Sequence, residues 1–473
     1  MPSVHSTAPA NILAELCLEQ ITTQGLRPLL EQVPWALRTR RDGLDNAQRC
    51  LCLLAGLSQG CRVYRDWNSR LHQDNRLQFW LDGRSPPAAS TLSRSLAAAT
   101  EQTVAGLCKV LGRLDQPLFC TLPPLGFWVL DLDSQGLPAH GKSYENAAYG
   151  HMPDGSLQRG YGLHLLSLEN TWPLAMDFTP ANADPISVGM PLLQRWLHGQ
   201  DASLRRHLLL RGDSLYGCAR FLRYLRHGGC GYLLKGTSPA QAQRLWREHV
   251  QSCPLQRIAR AGQGDLLAIE CGPQTLDGAD HRQDAQGRPH RHRLHVPVPR
   301  VVVYQEDPAG CPPGQAPQCF CLLTTLERQR CSASQLLELY NQRGGTIENL
   351  FNQLEQAFAI HHWRSRRYWG NYSFLLLSLV AASLCQRLRQ QGQEQGLPTP
   401  AGLQGLLQAA ACSGLRLEQE EQAGCTLHSE AAPPASRPAP PPASAPPPAT
   451  APYTYTLLRL LHCSYQYCFA WAA

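Results

Sequence analysis

Apolar residues recur at helical spacing through the first 115 positions, at Ala10 to Glu19, Ala47 to Leu57 and Ser90 to Leu114. They predict a helical N-terminal region over residues 1–118. Pro86 and Pro87 break the chain before the last of these stretches, and Ser90 or Thr91 is placed to cap a helix beginning TLSRSL, with Arg94 near its start. Short helices, a Pro/Gly break and an arginine at the next helix start fit a DNA-binding module and a plain helical bundle equally. From Gly126 the pattern shortens. GFWVLDLD, YGLHLLSLEN (161–170) and TWPLAMDFTP (171–180) read as three successive strands. A helix-like Val188 to Leu197, the run RRHLLLRGDS (205–214), a second helix-like stretch at Ala219 to His227, and CGYLLKG (230–236) follow. Three strands, helix, strand, helix, strand describe a mixed sheet flanked by helices over residues 119–237, an α/β architecture.

Residues 238–331 depart from that alternation. A short helical piece (Ala240 to Val250) and a Gly/Asp/His-rich loop accompany the β-type runs LLAIE, RLHVPVPRVVVY and CFCLLTTL, which predict a β-rich insertion. Helix returns at Ser332 to Tyr340. A long helix begins near Thr346 and runs past Phe358, completing the core over residues 332–392. Phe374 to Cys385 is apolar but too short to span a bilayer, and predicts a buried helix and no membrane partner. In the last part, 393–473, residues 431–452 hold ten of the chain's 37 prolines and read as extended linker. The apolar, aromatic stretch 453–473 has no evident partner in the sequence.

With 473 residues, 43% hydrophobic and 17% charged, the chain is long enough for two or three domains. Of its 43 basic residues 40 are arginine, which suits phosphate recognition and equally suits a GC-rich genome. The distribution says more than the net charge of +7. Residues 201–300 carry 16 Lys/Arg against 8 Asp/Glu, so that block alone accounts for +8 and the remainder is near neutral. A localised basic patch points to a polyanionic partner. The 19 cysteines are scattered, with no C-x-x-C. Cys50/Cys52 and Cys319/Cys321 have the spacing of alternate strand or loop positions rather than of a zinc knuckle. His281, His290, His292 and His295 lie in an Arg-rich stretch without cysteine partners, a poor fit to a metal site. The N-terminus shows no basic region followed by an apolar block, so no secretory signal is expected. Reduced thiols then predict a cytoplasmic protein.

Three acidic positions stand at informative places. Asp133 ends the first strand, in LDLDS; Asp213 ends the fourth, in LLLRGDS; Glu348 lies in the first turns of the helix after the insertion, in RGGTIENLF. Carboxylates converge only where cations neutralise them. Hard divalent ions such as Mg²⁺ take such ligands, and two metals roughly 3.5–4 Å apart serve in-line phosphoryl transfer. Acidic residues also serve as caps and surface groups at element ends. Asp131, two residues before Asp133, shares its strand face.

These segments carry a resemblance. VLDLDSQGLPAHGKSYENAAY, RGYGLHLLSLENTWPLAMDFTPANADP, LLLRGDSLYGCARFLRYLRHGGCGYLLKG and LYNQRGGTIENLFNQLEQAFAIHHWRSRRYWGNYSFLLLSLVAASL occur in this order. Together with LLAGLSQGCRVYRDWNSRL and PAASTLSRSL upstream, they resemble bacterial insertion-sequence transposases of the DDE class, in the IS-four superfamily and its thirteen-eighty-type branch. The likeness covers roughly residues 45 to 390. It implies an RNase-H-like core with a β-strand insertion between the second aspartate and the glutamate. It implies that Asp133, Asp213 and Glu348 are catalytic and hold two Mg²⁺ ions, with Mn²⁺ as a substitute. Water would attack at a transposon end, and the released 3′-hydroxyl would attack target DNA. The implied partners are double-stranded DNA, as terminal inverted repeats and target, and a second protomer in the synaptic complex, on the nucleoid. Asp133 is preferred to Asp131 because the family's aspartate precedes a short hydroxyl-bearing stretch, here Ser134–Gln135. Tyr340 and Arg343 match a Y-x-x-R…E…K signature and would help hold DNA phosphate. Glu348 follows Arg343 by five residues where four is usual, and Glu355 stands at the lysine position. Arg364, Arg366 and Arg367 could supply the missing positive charge. These departures favour an alternative, a decayed or repurposed transposase that binds DNA without cutting it. A two-carboxylate sugar hydrolase would leave the +8 block without a purpose.

Overall fold

A computed structural model describes residues 7–9, 11–37, 43–260, 264–283, 289–311, 314–344, 347–397, 402–412, 415–420 and 424–429. The chain divides into two compact units. One comprises Met1–Pro117, Ala139–Ala147 and Phe351–Ala473; the other comprises Leu118–Pro138 and Ala148–Leu350.

The second unit is built on one ten-stranded sheet. Its strands are β1 (Trp128–Pro138), β2 (Ala148–His151), β3 (Leu157–Leu168), β4 (Trp172–Pro180), β5 (Leu208–Gly212), β6 (Gly231–Lys235), β7 (Gln256–Ile258), β8 (Leu266–Gln283), β9 (Pro289–Glu306) and β10 (Cys319–Thr324). β1, β3 and β4 form an antiparallel meander, and β5 and then β6 add in parallel on the other side of β1. The spatial order β4-β3-β1-β5-β6, with those directions, is the RNase-H-like arrangement. The sequence pattern does not reveal β2, which shares one edge of β3 with β4.

The β-rich segment forms no separate layer. β10 pairs antiparallel with β6, and β9, β8 and β7 continue the same sheet outward. The runs LLAIE and RLHVPVPRVVVY belong to two 18-residue strands paired as a long ribbon, with register shifts between Val298 and Val302. Leu294, Val296 and Val298 turn inward, whereas Arg293 and His295 are exposed. This period-2 alternation continues the ribbon beyond its apolar runs.

The same alternation builds two cores on the sheet. Leu130, Leu132, Leu208, Leu210, Tyr232 and Leu234 pack on one face with residues from helices Pro185–His198, Ala219–Gly228 and Pro239–His249. Val129, Leu209, Leu233, Val302 and Leu322 pack on the other with Ala333, Leu336, Leu337 and Leu339 of helix Ala333–Gly344. Each fully buried leucine contributes about 1.5–3 kcal/mol. The second face thus holds helix 333–344 firmly against β1 and β5, the strands that carry the two aspartates.

The first unit is mainly helical. Ile12–Thr23, Asn46–Ser58, Ala89–Ala97 and Glu101–Asp115 pack against Tyr368–Glu394. That last helix is long and apolar enough to cross a membrane, but is buried along nearly its whole most apolar window, as a core helix is. The helically spaced stretch Ser90 to Leu114 forms two helices, Ala89–Ala97 and Glu101–Asp115. Thr100 starts the second by accepting the Thr103 N–H. Neither Ser90 nor Thr91 caps the first, whose Ala89 N–H goes instead to Asn68 Oδ1 at 2.7 Å. Cys50 and Cys52 lie on helix Asn46–Ser58 rather than on a strand or loop. Both are buried, and burial pushes the Cys50 thiol up to about 12. Strands Thr7–Pro9, Leu415–Glu420 and Gly424–Ser429 make a small separate sheet.

Candidate active site

β1 and β5 run parallel in a register that sets Asp131 beside Arg211 and Leu132 beside Gly212. One step further along come Asp133 and Asp213, each directly after the last paired residues, Leu132 and Gly212. Asp133 does not end its strand, as the sequence predicts; β1 continues to Pro138 against β3 alone. Its carboxylate therefore emerges where the parallel pairing stops, with 21% of the side chain exposed. Asp213 leaves β5 through a turn in which its Oδ1 accepts the Leu215 N–H at 2.9 Å, a local bond that fixes the side chain. Asp133 Oδ1 accepts the Ser134 N–H at 2.9 Å.

Helix 333–344 brings a cation to this pair. Arg343, in its last turn, sets Nη2 3.1 Å from Asp133 Oδ2. Tyr340, three residues earlier on the same helix face, lies beside Arg343; burial raises its phenol and the Arg343 charge opposes the rise. Burial pushes the Asp133 carboxyl up to about 6; Arg343 and the Ser134 N–H oppose the rise, and the charges of Asp213 and Asp131 add to it. For Arg343, burial works against the charge, but Asp133 and Asp213 outweigh it and hold the guanidinium above its ordinary value. Tyr216, fully buried, is raised by burial and then by the two aspartates.

The structure separates Asp131 from Asp133. Asp131 is fully buried and receives both Nε (2.8 Å) and Nη2 (2.9 Å) of Arg211. The third arm of Arg211 donates to the Leu339 carbonyl, so one guanidinium ties β1, β5 and helix 333–344 together. Burial raises the Asp131 carboxyl and Arg211 opposes that rise. Arg211 is absent from the sequence reading. The available signal is the matching spacing of D-x-D on β1 and R-x-D at the end of β5, which puts each inner residue on the same face as its outer aspartate.

Glu348 lies in helix Ile347–Phe358, and its side chain lies outside the described residues. Arg94, Arg364, Arg366, Arg367 and Glu355 belong to the helical unit. Arg364 is buried, donates to the His362 and Phe358 carbonyls, and lies 4.7 Å over the Phe374 ring. Burial lowers it to about 10. Its guanidinium packs within the helical core. Arg366 and Arg367 are exposed, the latter 4.0 Å from Glu145. Arg94 is exposed and bonds to Ser90 and Thr91 of its own helix. Glu355 accepts the His361 N–H at 3.1 Å and pairs with the His361 ring.

Asp133 and Asp213 present hard oxygen donors on adjacent strands, a donor set that fits Mg²⁺ or Mn²⁺. Among the described residues, no third His, Cys, Asp or Glu joins them to complete a metal site. Of the remaining predicted histidines, His295 pairs with Asp277 at 2.7 Å on the ribbon. The side chains of His281 and His290 lie outside the described residues.

The family model described as transposase DDE domain matches residues 124–384. No curated protein matches the chain. Among solved structures, the piggyBac transposase synaptic complex with hairpin DNA is similar at a TM-score of 0.46 and 10% identity, over 86% of this chain and 82% of that one.

Proposed function

The chain belongs to the transposase DDE domain family, and from that premise we propose that it cuts DNA at the ends of its own insertion sequence and joins the freed 3′-ends to target DNA. The observation that carries this reading is that Asp133 and Asp213 each follow the last paired residues, Leu132 and Gly212, of two parallel strands, beside Arg343 and Tyr340 from a single helix. Asp133, Asp213 and Glu348 are the residues that would hold divalent cations. When bound, such cations neutralise the carboxylates and supply Lewis acidity for phosphoryl transfer. Phosphoryl transfer depends on positioning and charge more than on covalent chemistry. The Asx turn orients Asp213, and the Ser134 N–H holds Oδ1 of the other carboxylate, Asp133. Arg343 and Tyr340 hold a DNA phosphate in this reading, with exposed Arg366, Arg367 and Arg94 adding backbone contacts. The ordered segments support the IS-four superfamily and its thirteen-eighty-type branch. Two transposon ends call for a homodimer, working on the nucleoid in the cytoplasm.

One observation favours a second reading, a transposase that binds DNA and no longer cuts it: Glu355, at the branch's lysine position, is paired with His361. Mg²⁺-dependent nicking of a duplex carrying the element's terminal repeats separates the two. Nicking by the wild-type chain that falls at least about 100-fold in Asp213→Asn is expected, the scale of losing an electrostatic contact in the transition state. Equal nicking by Asp213→Asn overturns the catalytic assignment. Sequence-specific binding without nicking by the wild type selects the second reading.

A further inference from the structure

Arg343 sits on a carboxylate that the proposed function needs for a cation. Its Nη2 is 3.1 Å from Asp133 Oδ2, with only 11% of the arginine side chain and 21% of the aspartate exposed. A guanidinium has five donors and no acceptor, so on leaving Asp133 it needs another acceptor, and an anion best keeps its charge neutralised. The other nearby guanidinium is committed elsewhere: Arg211 gives two arms to Asp131 and the third to the Leu339 carbonyl. Among the described residues Arg343 is therefore the cation that bears on Asp133, and a divalent ion bound there competes with it for the carboxylate. The helix that carries it is held independently of that contact, by Leu336, Leu337 and Leu339 in the core and by the bond from Arg211. The side chain can thus change partner without unpacking its helix. A DNA phosphate is the partner that a guanidinium fork matches best, bidentately and with charge assistance.

We propose that Arg343 is an exchangeable counter-ion for Asp133, drawn off by a DNA phosphate, so that the site takes up its divalent cation strongly only with DNA in place. The inference rests on the transposase reading above. It makes DNA and cation binding mutually reinforcing, by the same factor in both directions. It also gives the resting protein a neutralised carboxylate and keeps free cation from arming the site before substrate arrives.

Mn²⁺ titrations of the full chain, followed by the electron paramagnetic resonance signal of free Mn²⁺, test this without any turnover. They are run with and without a generic DNA duplex, and the Mn²⁺ held by duplex alone is subtracted. Wild-type affinity for Mn²⁺ should rise about tenfold or more with duplex, within the usual range of coupling between sites. Arg343→Met should bind Mn²⁺ without DNA about as tightly as the DNA-bound wild type, and gain nothing further from duplex. Arg343→Lys, which keeps a charge in place, should restore the suppression in part and controls for folding. Asp133→Asn should lose the strong site in both conditions. The exchange is overturned if Arg343→Met binds Mn²⁺ no better than wild type in the absence of DNA. It is also overturned if bound duplex leaves wild-type affinity unchanged. Fluorescence anisotropy of labelled duplex reports DNA binding separately. Its absence overturns the proposed function and release by DNA together, while the DNA-free comparison still decides whether Arg343 competes with the cation.

Discussion

Cutting the Asp131–Arg211 pair from one side separates the structural carboxylate of β1 from the chemical one. The side chains of Asp131 and Arg211 are 0% and 3% exposed, joined by contacts of 2.8 and 2.9 Å. Asp131→Ala leaves a guanidinium in the core with only the Leu339 carbonyl as its named partner. Removing one member of a buried pair costs about 3–5 kcal/mol. Asp133 stands two residues along the same face and can neutralise part of the orphaned charge, so the lower end, ~3 kcal/mol, is expected. In a unit of about 150–250 residues each kcal/mol lowers Tm by roughly 2–4 °C, which gives a fall of about 6–12 °C. Asp131→Leu with Arg211→Met should recover most of it, because an intact buried pair contributes little net stability over apolar groups of similar size. Asp133→Asn should behave in the opposite way. Its carboxyl is pushed up to about 6, chiefly by burial, so at neutral pH the amide should leave stability unchanged or raise it while Mg²⁺-dependent nicking disappears. Thermal and urea unfolding by circular dichroism, beside the nicking assay, measure both. An Asp131→Ala protein as stable as wild type would falsify the division of roles, as would a double variant no better than the single.

Three further outcomes are expected. Asp74, 7% exposed and held by Gln59 Nε2 at 2.7 Å, is pushed up to about 7 by burial and then by Glu15. Because its folded value exceeds the unfolded value of about 3.9, the native state keeps a proton that the unfolded state releases, and stability falls as pH rises between those values. Asp74→Asn should flatten that fall and raise the unfolding free energy, measured by urea titration above neutral pH, by ~1–3 kcal/mol; a pH profile identical to wild type would refute it. In Gly150→Ala, the new Cβ would lie 2.1 Å from the Ala181 carbonyl oxygen, a backbone atom with nowhere to go. A loss of ~1–3 kcal/mol and faster amide exchange in β2 are expected, and unchanged exchange would contradict the contact. Glu355→Lys should tighten duplex binding and steepen its salt dependence by about one counterion, and a slope equal to wild type would show that this position does not meet phosphate.

The RNase-H-like order was legible because β1, β3, β4, β5 and β6 are short apolar runs whose sequence alone announces burial on both faces. β2 was not, since AYGH has no strand-like pattern of its own. Its place is set by backbone contacts at Gly136, Gly150 and Gly160, where any Cβ would collide with neighbouring carbonyls. Asp133 and Asp213 could be picked out from strand ends. The partner of Asp131 could not, because the pairing depends on register between residues eighty positions apart. The run WRSRR looks like a solvated basic surface, yet Arg364 is drawn inward by two carbonyls and an aromatic ring. The basic block is tempered in the same way. Arg211 pairs with Asp131, Arg220 with Asp184 and Asp280, Arg257 with Asp265 and Asp307, and Arg300 with Glu270. Of these four, Arg211 and Arg300 are buried and serve as internal scaffolding, whereas Arg220 and Arg257 pair on more exposed surface.

The seam where β10 joins β6 has a consequence for how the chain is made. Leu234 pairs with Leu323, so the outer edge of β6 stays bare until the far side of residues 236–318 has left the ribosome. At about 5–20 residues per second that delay is roughly 4–16 s. The β1–β3–β4 meander, β5 and β6 are all synthesised before it begins. A nascent chain therefore passes through an interval in which the sheet that carries the two aspartates exists with an open, apolar edge, the kind of surface on which strands from other chains add. The strands that appear as an insertion in the sequence are, in synthesis, the lid that ends this exposure. Excising them would leave every molecule permanently in its most aggregation-prone state.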